Sequence, residues 1–331
     1  MTNLKPILIT GAAGFIGARF AESCVSLGYK IISVDDCAHF NNRPEHLGID
    51  CGLIVDREKL FEFLESQKPP LGAIVHMGAC TDTAQMDAQY LKRVNLDYSK
   101  KIWTYASQNK IPLVYASSAA TYGDGALGFN DDESLIPNLK PLNPYGQSKQ
   151  DFDLWVLDQK RAGTTPPAWC GFKFFNVYGF GERHKEKMAS VALHAFDQIM
   201  AGGRTRLFKS HKKGIPDGHQ KRDFIYIDDV VEVLHFALAK PIKRGIYNLG
   251  SGQARTFLDL VTPVFKGLDK PVQIDFIDTP PAIRPRYQYF TEAKMEKLRD
   301  QGCAKAFTAL EKGVADYTQC LIRVASPPKN K

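Results

Sequence analysis

Long apolar runs are missing from this chain. No uninterrupted stretch approaches the ~20 residues needed to cross a bilayer, and Met1–Pro6 is too short and polar for a secretory signal. A cytoplasmic protein with no membrane partner is therefore expected. Cysteine is sparse and scattered. Its seven copies (Cys24, Cys37, Cys51, Cys80, Cys170, Cys303, Cys320) are odd in number and include no CxxC, which points away from a disulfide framework and from a zinc site. The eight histidines form no HExxH arrangement, so no metal is expected. Internal repeats are absent, and only Ser326–Lys331 (SPPKNK) reads as a disordered tail. The net charge of +7 comes without a recognised nucleic-acid-binding module, so no nucleic-acid partner is expected. Lys209, Lys212, Lys213, Lys221 and Arg222 do gather in one stretch, which suits either a solvated loop or an anion site.

What is present suits a folded enzyme of two lobes. The 331 residues are 44% hydrophobic and 24% charged, enough to bury a large core. Ile7-Leu8-Ile9 is a short apolar run of the kind that forms a buried parallel strand, and it ends in Thr10 and the glycine turn GAAGFIG (Gly11, Gly14, Gly17). A helical pattern follows from Phe15, with Ile16, Phe20, Cys24 and Leu27 on one face and Gly28 placed to stop it. Such a helix points free N–H groups and the positive end of its dipole at an anion. Lys30–Val34 reads as the next strand and ends at Asp35, an acid at the distance that commonly holds an adenosine ribose. Strand, glycine turn, helix, strand and acid together predict a dinucleotide site.

Strands and helices continue to alternate, as in a doubly wound sheet. Leu71–His76 and Pro112–Ser117 read as strands, and Gln89–Gln108 as a long helix between them. Ser118 falls at the carboxyl edge, where ligands bind in such sheets. Asn143 and Pro144 form a good helix start, which puts Tyr145 and Lys149 one turn apart on one face. Trp169–Phe175 reads as a strand ending at Asn176, Met188–Met200 as a helix and Phe224–Ile227 as a short strand. The fold expected is α/β, a Rossmann-like doubly wound parallel sheet with a smaller C-terminal α/β substrate lobe. Residues 1–180 are assigned to the NAD(P)-binding domain and 181–325 mainly to the substrate lobe, with 222–250 returning to the first and 326–331 as tail. A tyrosine hydroxyl titrates near 10 and is a poor base at neutral pH. The Lys149 ammonium and a positively charged nicotinamide would both favour the phenolate, while Ser118 holds the reacting hydroxyl. This is chemistry for oxidising an alcohol.

These segments resemble the nucleotide-sugar epimerase and dehydratase group of the extended short-chain dehydrogenases/reductases. The landmarks are GAAGFIG, HMGACTDT (76–83), Asn95 in RVNLDYSK, YASSAATYG (115–123), YGQSK, FKFFNVYG (172–179) and RDFIYIDDV (222–230), spread over nearly the whole chain. Within that group HMGACTDT, HKEKMASVALHAF (184–196) and RYQYFTEA (286–293) are similar to the heptose 6-epimerases. The resemblance implies inversion at carbon 6 of ADP-heptose, for lipopolysaccharide core or related heptose synthesis, by transient oxidation to a ketone and return of the same hydride. Proton carriers are wanted on two sides of that carbon, and the resemblance assigns them to Tyr145 and Lys185.

Other roles carried over are cofactor contacts at Phe15, Ile16, Asp35, Asp36, Met77, Gly78, Ala79, Cys80, Thr81, Asn95, Lys149, Val177 and Lys185. Substrate contacts fall on Ser118, Asn176, Lys187, His194, Phe208, Lys209, Ser210, His211, Arg222 and Tyr287. An arginine suits a diphosphate, because its fork binds two oxygens at once. Asp35 favours the bare ribose of NAD, whereas Arg43 and Arg57 favour the 2′-phosphate of NADP, as does the resemblance; NADP is the expectation, with NAD the alternative. A homo-oligomer is also expected. Three other readings stay open: a UDP-sugar 4-epimerase, a 4,6-dehydratase, and a non-catalytic NAD(P)-binding protein. The dehydratase generally carries an Asp-Glu pair where Ala119-Ala120 stand here.

Overall fold

The apolar run that opens the chain forms strand β1 (Ile7–Thr10), and the acid-tipped run after it forms β2 (Ile31–Asp35). They are followed by β3 (Leu53–Asp56), β4 (Ala73–His76), β5 (Leu113–Ser118) and β6 (Trp169–Phe174). Next come β7 (Asn176–Tyr178), β8 (Thr205–Phe208), β9 (Lys221–Tyr226), β10 (Gly245–Leu249), β11 (Ala254–Thr256) and β12 (Ile274–Ile277). The computed structural model describes residues 5–240, 242–281, 283–284 and 287–325. The tail expected at 326–331 and Arg286 of the RYQYFTEA segment lie outside the described residues.

Two compact units share the chain. One takes residues up to Phe174, Val230–Leu249 and Lys294–Ala304; the other takes Phe175–Asp229, Gly250–Ala293 and the chain from Lys305. The first unit is a seven-stranded sheet in the order β10-β6-β5-β4-β1-β2-β3, and every described pairing in it is parallel. This is the doubly wound sheet that the alternation of strands and helices predicts. Strands β1, β4 and β6 are buried along their whole length, which explains the apolar runs that open β1 and β4 and the mainly apolar sequence of β6, broken only by Lys173: crossover helices cover both faces. Strand β3 was not legible as a strand. It lies at the sheet edge with Leu53 and Ile54 exposed, so no burial periodicity marks it.

The helices follow their caps. Asn143 accepts the Gly146 N–H at 2.7 Å and Pro144 sits at the first position of the helix Pro144–Ala162, which Gly163 ends. The helix expected from Met188 starts later, at Val191, because Ser190 accepts the Leu193 N–H and caps it. The long helix expected over Gln89–Gln108 runs without a break from Ala88 to Gln108, with one π-helical turn at Lys92–Asp97. In the second unit β9 lies between β11 and β7, and β12 pairs with β8.

Candidate functional site

The glycine turn closes on itself. Gly11 has φ of +68°, and the Gly14 N–H bonds its carbonyl at 2.8 Å. A methyl group on Gly11 would meet the backbone of Met77 and Gly78 at 2.6–2.8 Å, and one on Gly17 would lie 2.0 Å from the Gly11 oxygen. Only glycine fits either place. The helix Phe15–Ser26 starts at Gly14 with no side-chain cap and no acid in its first turn, so its amino end suits a pyrophosphate.

At the ribose end Asp35 is already engaged. Its carboxylate accepts Ala13 N–H at 3.1 Å and Asp36 N–H at 2.8 Å, and pairs with His39 at 3.0 Å. The Arg43 guanidinium donates to the Ala13 carbonyl, and His46 shares that oxygen at 3.0 Å. Burial pulls the Arg43 pKa down while Asp35 and Asp36 oppose it. Arg57 lies 3.8 Å from Asp36. Two guanidinium groups thus stand beside the acid pair at the end of β2.

The loop after β4 is tied to the turn and to the next site. Met77 N–H bonds the Thr10 carbonyl at 3.1 Å, and Gly78 N–H bonds the Thr10 hydroxyl at the same distance. Thr10 and Ser99 hydroxyls flank the buried His76 ring at 2.6 and 2.8 Å. Burial, with the nearby Lys149 charge, pushes His76 down to about 3, so it is a neutral strut. Asn95, in the π-helical turn, accepts the Cys80 N–H at 2.8 Å and donates to the Cys80 carbonyl and the Ser148 hydroxyl, each at 3.0 Å. Ser148 in turn bonds the Tyr145 carbonyl at 2.7 Å. Ala79 shares this partly exposed loop, and Thr81 is exposed.

Ser118, Tyr145 and Lys149 come together at the carboxyl end of β5. Ser118 lies close enough to the Tyr145 hydroxyl to favour its ionised form. Lys149 Nζ donates to the Ala116 carbonyl at 2.9 Å, a carbonyl one residue beyond the last pairing of β5 with β4. Burial pushes Lys149 down to about 8, against the upward pull of Asp153 and Cys80. The Tyr145 phenol is buried. Burial raises its pKa, and the nearby Ser118 offsets that only in part. The chain alone holds Tyr145 as a neutral phenol, a proton donor ready for reduction, and a further positive charge is needed to favour the phenolate.

The second unit carries the other candidates. Asn176 and Val177 open β7. Lys185 and Lys187 lie on the turn Arg183–Met188, with Lys187 exposed and Lys185 half-buried, its Nζ 3.5 Å from Glu182. Glu182 is wholly buried and also accepts Ser190 N–H at 2.7 Å and Ser190 O–H at 2.5 Å. His194 is half-buried in the helix that Ser190 starts.

Arg222, on β9, is buried between the rings of Phe257 and Tyr287, its guanidinium carbon 5.6 and 5.3 Å from their centroids. It donates to the carbonyls of Lys221 and Gln288. Phe208 packs edge-on against Tyr287, with centroids 6.4 Å apart. Lys209 pairs with Asp278 at 3.4 Å, Ser210 N–H bonds Asp217 at 2.6 Å, and His211 N–H bonds the Tyr289 hydroxyl at 3.2 Å. Glu182, Phe257, His76 and Thr10 escaped the sequence reading. Glu182 was within reach of it, three residues before Lys185; Phe257 was not, because only the β9–β11 pairing brings it to Arg222.

A parallel sheet of this order, with a glycine turn at the end of its first strand, is the architecture of dinucleotide-binding enzymes. The chain belongs to the NAD dependent epimerase/dehydratase family, whose pattern matches residues 7–250. It is 42% identical over 326 residues to the ADP-L-glycero-D-manno-heptose-6-epimerase of Fusobacterium nucleatum, covering 95% of this chain and 97% of that one. The structure of the Helicobacter pylori ADP-L-glycero-D-manno-heptose-6-epimerase superposes with a TM-score of 0.79 at 27% identity, covering 96% of each chain. The fold is also that of a Thermus thermophilus UDP-glucose 4-epimerase solved with NAD, with a TM-score of 0.77 at 22% identity, covering 97% of this chain and all of that one. Among the described residues no helix is long and apolar enough to cross a membrane.

Proposed function

We propose that this chain is an ADP-glycero-manno-heptose 6-epimerase that uses NADP and serves lipopolysaccharide core or related heptose synthesis. The observation that carries the reading is that Tyr145 and Lys149 sit one turn apart on one buried helix, with Lys149 tied to the Ala116 carbonyl two residues before Ser118, in a chain that aligns end to end with heptose epimerases. The nicotinamide would accept hydride from carbon 6 and return it to the same carbon, leaving no net redox change. Every other step falls to the chain. Ser118 holds the reacting hydroxyl, and Tyr145 takes its proton as hydride leaves. Carbon 6 lies outside the sugar ring, so rotation about one bond presents the other face of the ketone. Lys185 then supplies a proton on that side, and Glu182 anchors the turn that carries it. Arg222, held between two aromatic rings, supplies a fixed fork for the diphosphate. The glycine turn and the loop after β4 hold the dinucleotide, and Arg43 and Arg57 favour a 2′-phosphate beside an Asp35 whose oxygens are taken.

The test is incubation with a panel of nucleotide sugars, read by NMR for inversion at one carbon, with the Lys185→Met variant alongside. ADP-heptose should invert at carbon 6, and Lys185→Met should lose roughly two or more orders of magnitude in kcat, the range for one general acid/base. A raised KM with unchanged kcat would reduce Lys185 to a substrate contact. Inversion of a UDP-hexose at carbon 4 instead would replace this reading with that of a 4-epimerase.

A further inference from the structure

Lys149 has a neighbour that the proposed reaction does not use. Asp153 lies one turn further along the same helix, and it pairs with Lys173 of β6 at 2.6 Å, both side chains wholly buried. Around this pair the segment that carries Ser118 is fastened at four points. Asp153 accepts the Tyr115 hydroxyl at 3.1 Å and the Ser117 hydroxyl at 2.7 Å, the residues on either side of the Ala116 carbonyl that holds Lys149. Lys173 donates to the Thr121 hydroxyl at 2.7 Å and lies 5.3 Å from the Tyr122 ring centre. Thr121 closes the circuit by donating to the Ser118 carbonyl at 2.8 Å. Stability alone gives no reason for two charges here, since an apolar pair of equal volume is often as stable as a buried ion pair, or more so.

We propose that Asp153 and Lys173 form a positioning pair for proton transfer, Asp153 keeping the Lys149 ammonium charged and the pair together fixing the segment of Ser118. The proposal rests on the reading of Tyr145 and Lys149 as the proton-transfer groups. Asp153 is the largest upward influence on Lys149, which burial otherwise pushes down to about 8. The other titratable groups that act on Lys149 are His76 from β4 and Cys80 from the loop after it. Burial holds His76 in its neutral form. The carboxylate of Asp153 is therefore the counter-charge that decides how far up the pH scale Lys149 stays an ammonium.

The two halves of the pair should act in opposite directions. Removing the carboxylate in Asp153→Asn lowers the titration midpoint of Lys149, and removing the ammonium in Lys173→Met leaves the carboxylate unneutralised and raises it. Each shift should be about one pH unit, the low end for removal of a nearby charge. The measurement is ¹⁵N NMR of the lysine side chains in the cofactor-bound protein, with the Lys149 signal assigned by its loss in Lys149→Met. The alkaline limb of kcat/KM should move in the same sense, and Lys173→Arg should restore it. The double variant Asp153→Asn/Lys173→Met leaves neither member of the pair facing a lost partner and should still lower the midpoint, which keeps the test open if Asp153→Asn alone does not fold. Unmoved midpoints in folded Lys173→Met and the double variant would overturn the pairing role. Full activity in Tyr145→Phe would instead sink the proton-transfer reading, so the two failures are told apart.

Discussion

Replacing Gly17 by alanine adds one methyl group and tests whether the glycine turn is the dinucleotide site. That methyl would lie 2.0 Å from the Gly11 oxygen, 2.7 Å from the Gly11 carbonyl carbon and 3.1 Å from the Ala12 Cα, all backbone atoms. Gly11 has little room to retreat, because the backbone of Met77 and Gly78 stands on its other side. Relief therefore means moving the Gly11 carbonyl and stretching its bond from Gly14. Overpacking of this kind costs about 1–3 kcal/mol, and the lost hydrogen bond about 1 more. Alanine's better helix propensity returns about 1 kcal/mol. The net effect falls on the turn rather than on the fold, and at about 1.4 kcal/mol per decade it weakens the cofactor roughly tenfold to a hundredfold. Calorimetric titration of cofactor-stripped protein reads this directly. Gly202→Ala is the control, since no heavy atom lies within 4 Å of its added methyl. Cofactor affinity within about threefold of wild type in Gly17→Ala would refute the assignment, because it would leave less than ~1 kcal/mol of the expected effect.

Three further outcomes follow from the same geometry. Tyr145→Phe should abolish inversion by roughly two orders of magnitude or more while cofactor affinity holds, as read by NMR turnover and titration, because it removes one hydroxyl and little packing. Arg43→Ala should weaken NADP about tenfold or more and leave NAD nearly unchanged, a split that equal losses for both cofactors would contradict. Acid should destabilise the first unit through His76. Its folded value of about 3 lies below the ordinary 6.5, so the unfolded chain binds the extra proton between those values, and stability falls as pH drops through that window. Between pH 7 and 5 the loss is roughly 2 kcal/mol by urea denaturation, and His76→Gln should flatten it.

Much of the site was legible before any coordinates. The glycine turn, the acid ending β2, the Asn143–Pro144 start and the Tyr145–Lys149 spacing are all local, set by the rise and repeat of one helix or strand. Backbone geometry within a few residues dictates them whatever the rest of the chain does. The sheet itself followed from the apolar runs that open β1 and β4 and fill most of β6, since strands covered on both faces carry such runs. Tertiary structure alone decided the partners. Strand order β6-β5-β4-β1 brings Lys173 to Asp153 and Thr10 to His76, and the β9–β11 pairing brings Phe257 to Arg222. Burial decided the charges: the same lysine, histidine and tyrosine would titrate at ordinary values in an open chain, and removal from water moves Lys149 and His76 down and Tyr145 up. Sequence spacing shows which groups share a helix face, whereas contacts across the sheet and the desolvation of a site depend on strand order, and no local pattern encodes that order.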